Sequence, residues 1–161
     1  MATHRYTAHV SWECDGDFAG NAYSRGHVWA FDGGIEVPAS ASPTVVPLPR
    51  SVEAAVDPEE AFVAAISSCH MLWFLDLARR QGLNVARYDD AAEAVMERIG
   101  PGKMAITRVI LRPDIAVRGE TEPDPAELTR LHEDAHARCF IANSVTSEIT
   151  VEPKPVRLIA P

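Results

Sequence analysis

Asp57-Pro58-Glu59-Glu60-Ala61-Phe62-Val63-Ala64-Ala65-Ile66-Ser67-Ser68-Cys69-His70-Met71-Leu72-Trp73 opens with a helix start signal and continues into an apolar run. Asp57 offers an N-cap, Pro58 suits the first helical turn, and Glu60 sits at capping-box spacing. A helix is therefore predicted from this point to about Gln81, stopping at Gly82. Phe62, Ala65, Ile66, Cys69, Leu72, Trp73 and Leu77 fall on one broad stripe, which predicts a packed face that includes Cys69. Pro123-Asp124-Pro125-Ala126-Glu127 repeats the start signal for a second helix to about Arg138. Its end carries a second cysteine, Cys139, in another apolar setting, Phe140-Ile141-Ala142. A buried cysteine is ordinarily a small hydrophobe. Two in matched settings point instead to thiol chemistry.

Strands fill the space around these helices. Tyr6 to Trp12 alternates loosely and reads as a first strand, followed by a turn-rich stretch from Asp15 to Asn21. The next strand places Tyr23, Arg25, His27, Trp29 and Phe31 on one face, and Asp32-Gly33-Gly34 turns it into a short strand, Ile35 to Val37. Pro38 to Val56, with Pro43, Pro47 and Pro49, is too proline-rich for regular structure and too apolar for a free linker. Two long strands, Val85 to Ile99 and Lys103 to Val117, are predicted to meet at Gly100-Pro101-Gly102 as the main hairpin. Ser147 to Val151 reads as a closing strand, and the residues after it, with Pro153, Pro155 and Pro161, as a tail that needs a neighbour.

A chain of 161 residues with 47% apolar content fits one domain, residues 1–161, with a real core. Its 15 basic and 23 acidic residues give a formal charge of -8, with the basic residues scattered, which disfavours nucleic acid or an anionic membrane as partner. No segment reads as a membrane span, because Ser67, Ser68, Cys69 and His70 interrupt the longest apolar stretch, Ala61 to Leu75, and Met1 to Val10 lacks the run of a signal peptide. A cytoplasmic protein is the expectation. Three cysteines without short paired spacing do not form a secreted disulfide framework and are better read as redox or catalytic. Cys14, between Glu13 and Asp15, is read as incidental. No stretch has the glycine pattern of a nucleotide loop, and no haem, flavin or other cofactor is implied.

Taken together, Asp57-Pro58-Glu59-Glu60 followed nine residues after Glu60 by Cys69, with Cys139 downstream, resembles the OsmC/Ohr family of thiol-dependent hydroperoxide reductases. The likeness runs from about Tyr6 to Glu152. Ser68-Cys69-His70-Met71-Leu72-Trp73 and Ala135-His136-Ala137-Arg138-Cys139-Phe140 look like the OsmC-like branch rather than the Ohr branch. The resemblance implies an α+β fold with antiparallel sheets around two central helices and an intertwined homodimer. It also implies a stress-response peroxidase in which Cys69 attacks an organic hydroperoxide, becomes a sulfenic acid and is resolved by Cys139. A dithiol, of lipoyl type in the relatives, is the implied reductant.

The thiolate is the nucleophile, and an apolar setting disfavours it, so the attack calls for a cation. Arg25, on the aromatic face beside Tyr23 and His27, is the first choice, and Arg50 in the proline-rich loop is the competitor. Glu60 and Glu59 are family-type partners of that arginine. Glu60 lies about half a turn from Cys69 around the helix, so it would reach the same site most simply from another subunit. Both glutamates also suit a helix N-terminus without any catalytic role.

Two other readings use the same residues. His132, His136 and Cys139 recur at i, i+4 and i+7 and suggest a transition-metal site with Cys69 or His70 as fourth ligand, in a non-catalytic small-ligand or metal-binding protein of the same fold. A cysteine hydrolase would pair Cys69 with a histidine, but Cys69 and His70 point about 100° apart on a helix.

Overall fold

The computed structural model describes residues 3–160. Its elements run β1 (Ala8–Ser11), β2 (Gly16–Asp17), β3 (Ala22–Tyr23), β4 (His27–Phe31), β5 (Glu36–Ala39), α1 (Pro58–Arg80), β6 (Val85–Asp90), β7 (Glu93–Gly100), β8 (Lys103–Leu111), β9 (Pro113–Arg118), α2 (Pro125–Arg138), a short 3-10 turn (Ala142–Ser144), β10 (Glu148–Val151) and β11 (Arg157–Ile159). The chain forms two compact units, Met1–Ala61 and Phe62–Pro161, with the first turn of α1 in the first and its remainder in the second.

In the first unit β4 is the centre of an antiparallel sheet, with β1 on one edge and β5 on the other. The strand expected over residues 22–31 is broken. The Ser24 hydroxyl accepts a hydrogen bond from the Gly26 amide at 3.0 Å, and the Arg25 amide donates to the Arg50 carbonyl at 2.7 Å rather than to a sheet partner. Tyr23 therefore ends a small hairpin, β2 with β3, and Arg25 lies in a connection between strands. Helix α1 starts as its sequence predicts. The Glu60 amide donates to Asp57 Oδ1 at 2.7 Å and the Asp57 amide to Glu60 Oε2 at 3.1 Å, a reciprocal capping box.

The second unit holds two mixed sheets, ordered β10-β8-β7 and β11-β9-β6. Each of the two long strands predicted from the sequence divides in two, β6 and β7 on one side and β8 and β9 on the other. Asp90 explains the break: its carboxylate accepts from the Arg112 amide at 2.7 Å and from the Ser67 hydroxyl at 2.5 Å, and Pro113, next in the chain, has no N–H to offer a ladder. The turn at Gly100-Pro101-Gly102 forms, with Gly102 at φ 67, a conformation that costs an L side chain. β10 and β11 add parallel to β8 and β9, so the sheets are mixed rather than purely antiparallel. The expected tail is a strand, and its neighbour is β9; Pro161 lies outside the described residues.

The packed face of α1 is rotated from the predicted stripe. Ile66, His70, Phe74, Leu77 and Ala78 are the buried residues, whereas Ala65 and Leu72 are exposed and Cys69 and Trp73 are half-buried. Phe74, Leu77 and Ala78 join Ile115 and Val117 of β9 and Leu131 and Ala135 of α2 in one cluster, while Ile66 packs with Val109 and Leu111 of β8 in another. Ile66 and Leu77 of the predicted stripe are buried, and the rest diverges because alanine and cysteine are nearly neutral markers of burial and a histidine in the true stripe was read as polar. At 23 residues α1 is also long and apolar enough to cross a membrane by length and composition, contrary to the expectation from its interrupting polar residues, although its buried residues belong to these two clusters.

The rotation makes a direct comparison available on one helix. Leu77→Ala is expected to lower the free energy of unfolding by about 2–5 kcal/mol, and Leu72→Ala by less than about 1 kcal/mol, in urea titrations. A large loss at Leu72 would show that another surface covers it.

Candidate active site

Cys69 and Cys139 come together in the second unit, although 70 positions separate them. α1 carries Cys69 on the edge of its buried stripe, and α2 ends at Cys139, whose extended backbone breaks the helix. Their thiols lie near enough to perturb each other, and all three cysteines of the chain are free. The two sulfurs are unlike. Cys139 is wholly buried, and burial first, then the neighbouring Cys69 thiol, pushes its thiol up to about 11; its sulfur also accepts from the Ala142 amide at 3.4 Å. Cys69 instead lines an open cavity of about 480 Å³ with Ala65, Leu72, Trp73, Phe140 and Ile141.

That cavity is apolar along its walls and charged at one end. Trp73 meets Phe140 edge-on with centroids 5.5 Å apart, and the Arg138 guanidinium lies 5.9 Å above the Trp73 ring. Asp76, seven residues beyond Cys69, lines the same cavity about 10 Å along the helix axis. Arg79 and Arg80 reach its carboxylate at 3.1 and 2.7 Å and hold it below the usual carboxylate range, chiefly through the Arg79 hydrogen bond. The arrangement accommodates an apolar molecule with its reactive end at Cys69.

The other predicted residues belong to the first unit. Arg25 donates to the Tyr23 carbonyl at 2.8 Å and to Asn21 Oδ1 at 2.6 Å, and its guanidinium stacks 3.5 Å from the Tyr23 ring centroid. It lines a cavity of about 400 Å³ with Trp12, Phe18, Tyr23, His27 and Pro58. Arg50 reaches the Asn21 carbonyl at 3.5 Å, so both candidate arginines gather around Asn21. Glu60 is exposed and engaged in the capping box, Glu59 is half-buried, and among the described residues neither makes an ion pair. Cys14 is free and exposed.

His132 does not join His136 and Cys139 in a ligand set. Its Nδ1 faces His70 Nε2 at 3.1 Å, and among the described residues no group of three or more His, Cys, Asp and Glu side chains is placed to hold a metal. No cue to this histidine pair lay in the residues beyond the spacing of His70 with Ile66 and Phe74, four residues to either side. Its rings stack with centroids 5.4 Å apart, and His132 also stacks on Phe74 at 4.5 Å.

The OsmC-like protein family matches residues 51–154. The chain belongs to that family. Among solved structures, an OsmC-like protein of unknown function from Vibrio cholerae is 47% identical, covers 94% of this chain and 100% of its own, and superposes with a TM-score of 0.91. Organic hydroperoxide resistance proteins from Legionella pneumophila and Elizabethkingia anophelis are 17% and 18% identical, each covers 98% of this chain, with 99% and 100% of their own, and their TM-scores are 0.62 and 0.63. At those identities the likeness speaks for the fold alone. No curated protein matches the chain. The OsmC-like α+β fold expected from the sequence is thus found, with its two helices carrying the cysteines.

Burial pushes both His70 and His132 down to about 4, and each is further lowered by a neighbouring histidine, against which Asp90 raises His70. The folded state therefore holds them neutral while the unfolded chain takes up protons near the ordinary 6.5. Their contribution is complete above pH 6.5 and lost as the pH falls toward 4, at up to about 1.4 kcal/mol per pH unit for each proton. Urea midpoints measured at pH 7 and pH 5 are expected to fall at the lower pH, and less steeply in His132→Phe.

Proposed function

We propose that this OsmC-like protein is a thiol peroxidase that reduces organic hydroperoxides to alcohols, with Cys69 as the attacking sulfur and Cys139 as the resolving one. The observation that carries this reading is the placing of two neighbouring thiols at an apolar cavity, with Cys69 lining the cavity and Cys139 buried. A sulfur that must meet substrate needs access. A sulfur that only has to meet its partner needs none.

The cycle follows from that asymmetry. The Cys69 thiolate attacks the distal peroxide oxygen, the O–O bond breaks, and the alkoxide leaves as an alcohol after taking a proton. Cys69 is now a sulfenic acid, oxidised by two electrons. The Cys139 sulfur attacks it, the S–S bond forms, and the hydroxyl leaves as water with the Cys139 proton. A dithiol, of the lipoyl type used by relatives, reduces the disulfide by two exchanges and is itself oxidised to a disulfide. Such a cycle suits a reducing compartment such as the cytoplasm and a role in the response to oxidative stress.

Arg25 is the proposed cation and Glu60 its proposed partner, supplied by a second copy in a homodimer. Arg25 and Pro58 line one cavity of the first unit, so a subunit that presents Glu60 presents Arg25 with it. The capping box uses one carboxylate oxygen of Glu60 and leaves the other for a guanidinium. Phe140, exposed at 67% beside Cys69, supplies apolar surface for the pairing.

Reduced protein is expected to consume cumene hydroperoxide faster than hydrogen peroxide, and Cys69→Ser to consume neither. Equal rates for both peroxides would remove the cavity from the argument. Cys139→Ser is expected to complete one turnover and accumulate a sulfenic acid that dimedone traps, as followed by mass spectrometry. For the arginines, stopped-flow measurement of peroxide attack separates the candidates. Arg25→Ala is expected to slow it at least about tenfold, and Arg50→Ala to leave it unchanged; the reverse pattern would assign the cation to Arg50.

A further inference from the structure

The peroxidase cycle makes no use of His70 and His132, yet this pair is the most enclosed polar contact between the two cysteine-bearing helices. His70 is 1% exposed and His132 5%, and a single hydrogen bond of 3.1 Å joins them. His70 Nδ1 is buried without a hydrogen-bond partner among the described residues. Such a pair is a poor source of stability. One nitrogen is desolvated for nothing, and two aromatic rings of the same shape without polar atoms would fill the space at lower cost.

Position accounts for the pair better than stability does. His70 is the residue after Cys69 on α1, and His132 lies seven residues, about two turns, before Cys139 on α2. Apolar contacts between the helices, such as Phe74 against Leu131 and Ala135, tolerate sliding. A hydrogen bond between two rings does not, because it weakens steeply with distance and angle. The bond therefore fixes how far α1 can shift along α2, and the cysteines sit at the positions where such a shift would be felt.

We propose that the His70–His132 hydrogen bond is a register lock that holds Cys69 and Cys139 at bond-forming distance, making both histidines positioning residues for disulfide closure. The inference rests on the proposed redox role of the cysteines. Disulfides demand narrow geometry, with Cβ atoms about 3.8 Å apart, so a small slip between helices lowers the tendency of the pair to close. His136, whose Nδ1 is also buried and unpartnered, and Asp90 are the other titratable groups beside His70, and neither joins it by a hydrogen bond.

The test is the thiol–disulfide equilibrium of the full chain with glutathione, in which two glutathiones reduce the Cys69–Cys139 disulfide and become one glutathione disulfide. Its constant gives the effective molarity of one thiol for the other. Three proteins are compared at neutral pH: the wild type, His70→Phe with His132→Phe, and His70→Gln with His132→Asn. The phenylalanine pair keeps the stacked rings and deletes the bond. The amide pair places its polar groups where Nε2 and Nδ1 were and keeps the bond.

The effective molarity is expected to fall about tenfold or more in the phenylalanine pair while its urea midpoint stays level or rises, and to stay within about threefold of wild type in the amide pair. A phenylalanine pair within about twofold of wild type would overturn the lock, and so would an amide pair that falls as far as the phenylalanine pair, because packing rather than the bond would then set the register. If the phenylalanine pair does not fold, His70→Phe alone is read by the same limits. A wild type that forms no Cys69–Cys139 disulfide under oxidising glutathione would instead remove the resolving step of the peroxidase cycle, and the lock with it.

Discussion

Burying Ile66, His70, Phe74, Leu77 and Ala78 fixes the rotation of α1 about its own axis, and the chemistry of the second unit follows from that rotation. A residue one position from His70 is turned by about 100°, which carries Cys69 from the centre of the packed face to its edge. There it keeps one side on the core, where Cys139 lies, and the other on an open cavity. Turning the helix by one residue in either direction would bury both sulfurs or separate them. The difference between a nucleophile and its resolving partner is thus produced by packing before any charged group is considered.

A polar anchor of the second unit is tied to the same helix. Ser67, one residue past Ile66, binds Asp90, and Asp90 binds the Arg112 amide at the break between β8 and β9. One carboxylate therefore joins α1 to both halves of the bent hairpin. Burial also pushes the Tyr88 phenol well above its ordinary value, with the Asp90 charge adding to the effect, and among the described residues that hydroxyl has no partner. These are costs accepted at the bend.

Much of this was legible in the residues. The capping box at Asp57 and Glu60, the Asp124 cap of α2, the glycine stop at Gly82 and the turn at Gly100-Pro101-Gly102 all rest on local backbone requirements, and local requirements survive folding. The resemblance carried by Glu60, Cys69 and Cys139 gave the fold. What escaped was set by long-range pairing: the Ser67–Asp90 bond that splits the strands, the Arg25–Arg50 backbone bond that interrupts the strand after Tyr23, and the parallel docking of residues 157–159. The orientation of α1 escaped for a compositional reason. A helix rich in alanine, with serines and histidine in its middle, has no face whose hydrophobicity clearly exceeds the other. His70 and His132 each read as a candidate metal ligand until the fold brought them together.

The parallel strands β10 and β11 have a consequence for how the chain is made. They cover one edge each of β8 and β9, and they come from residues 148–159, after both helices. On the ribosome, β8 and β9 therefore emerge with their backbone edges unpaired and stay so until the last strands follow. During that interval Val109, Ile110 and Leu111, or Ile115, Ala116 and Val117, offer an apolar template to any neighbouring chain. Nascent protein is exposed to association at a stage when the finished molecule is already protected, and slowing the release of these few residues would lengthen that exposure without altering a single native contact.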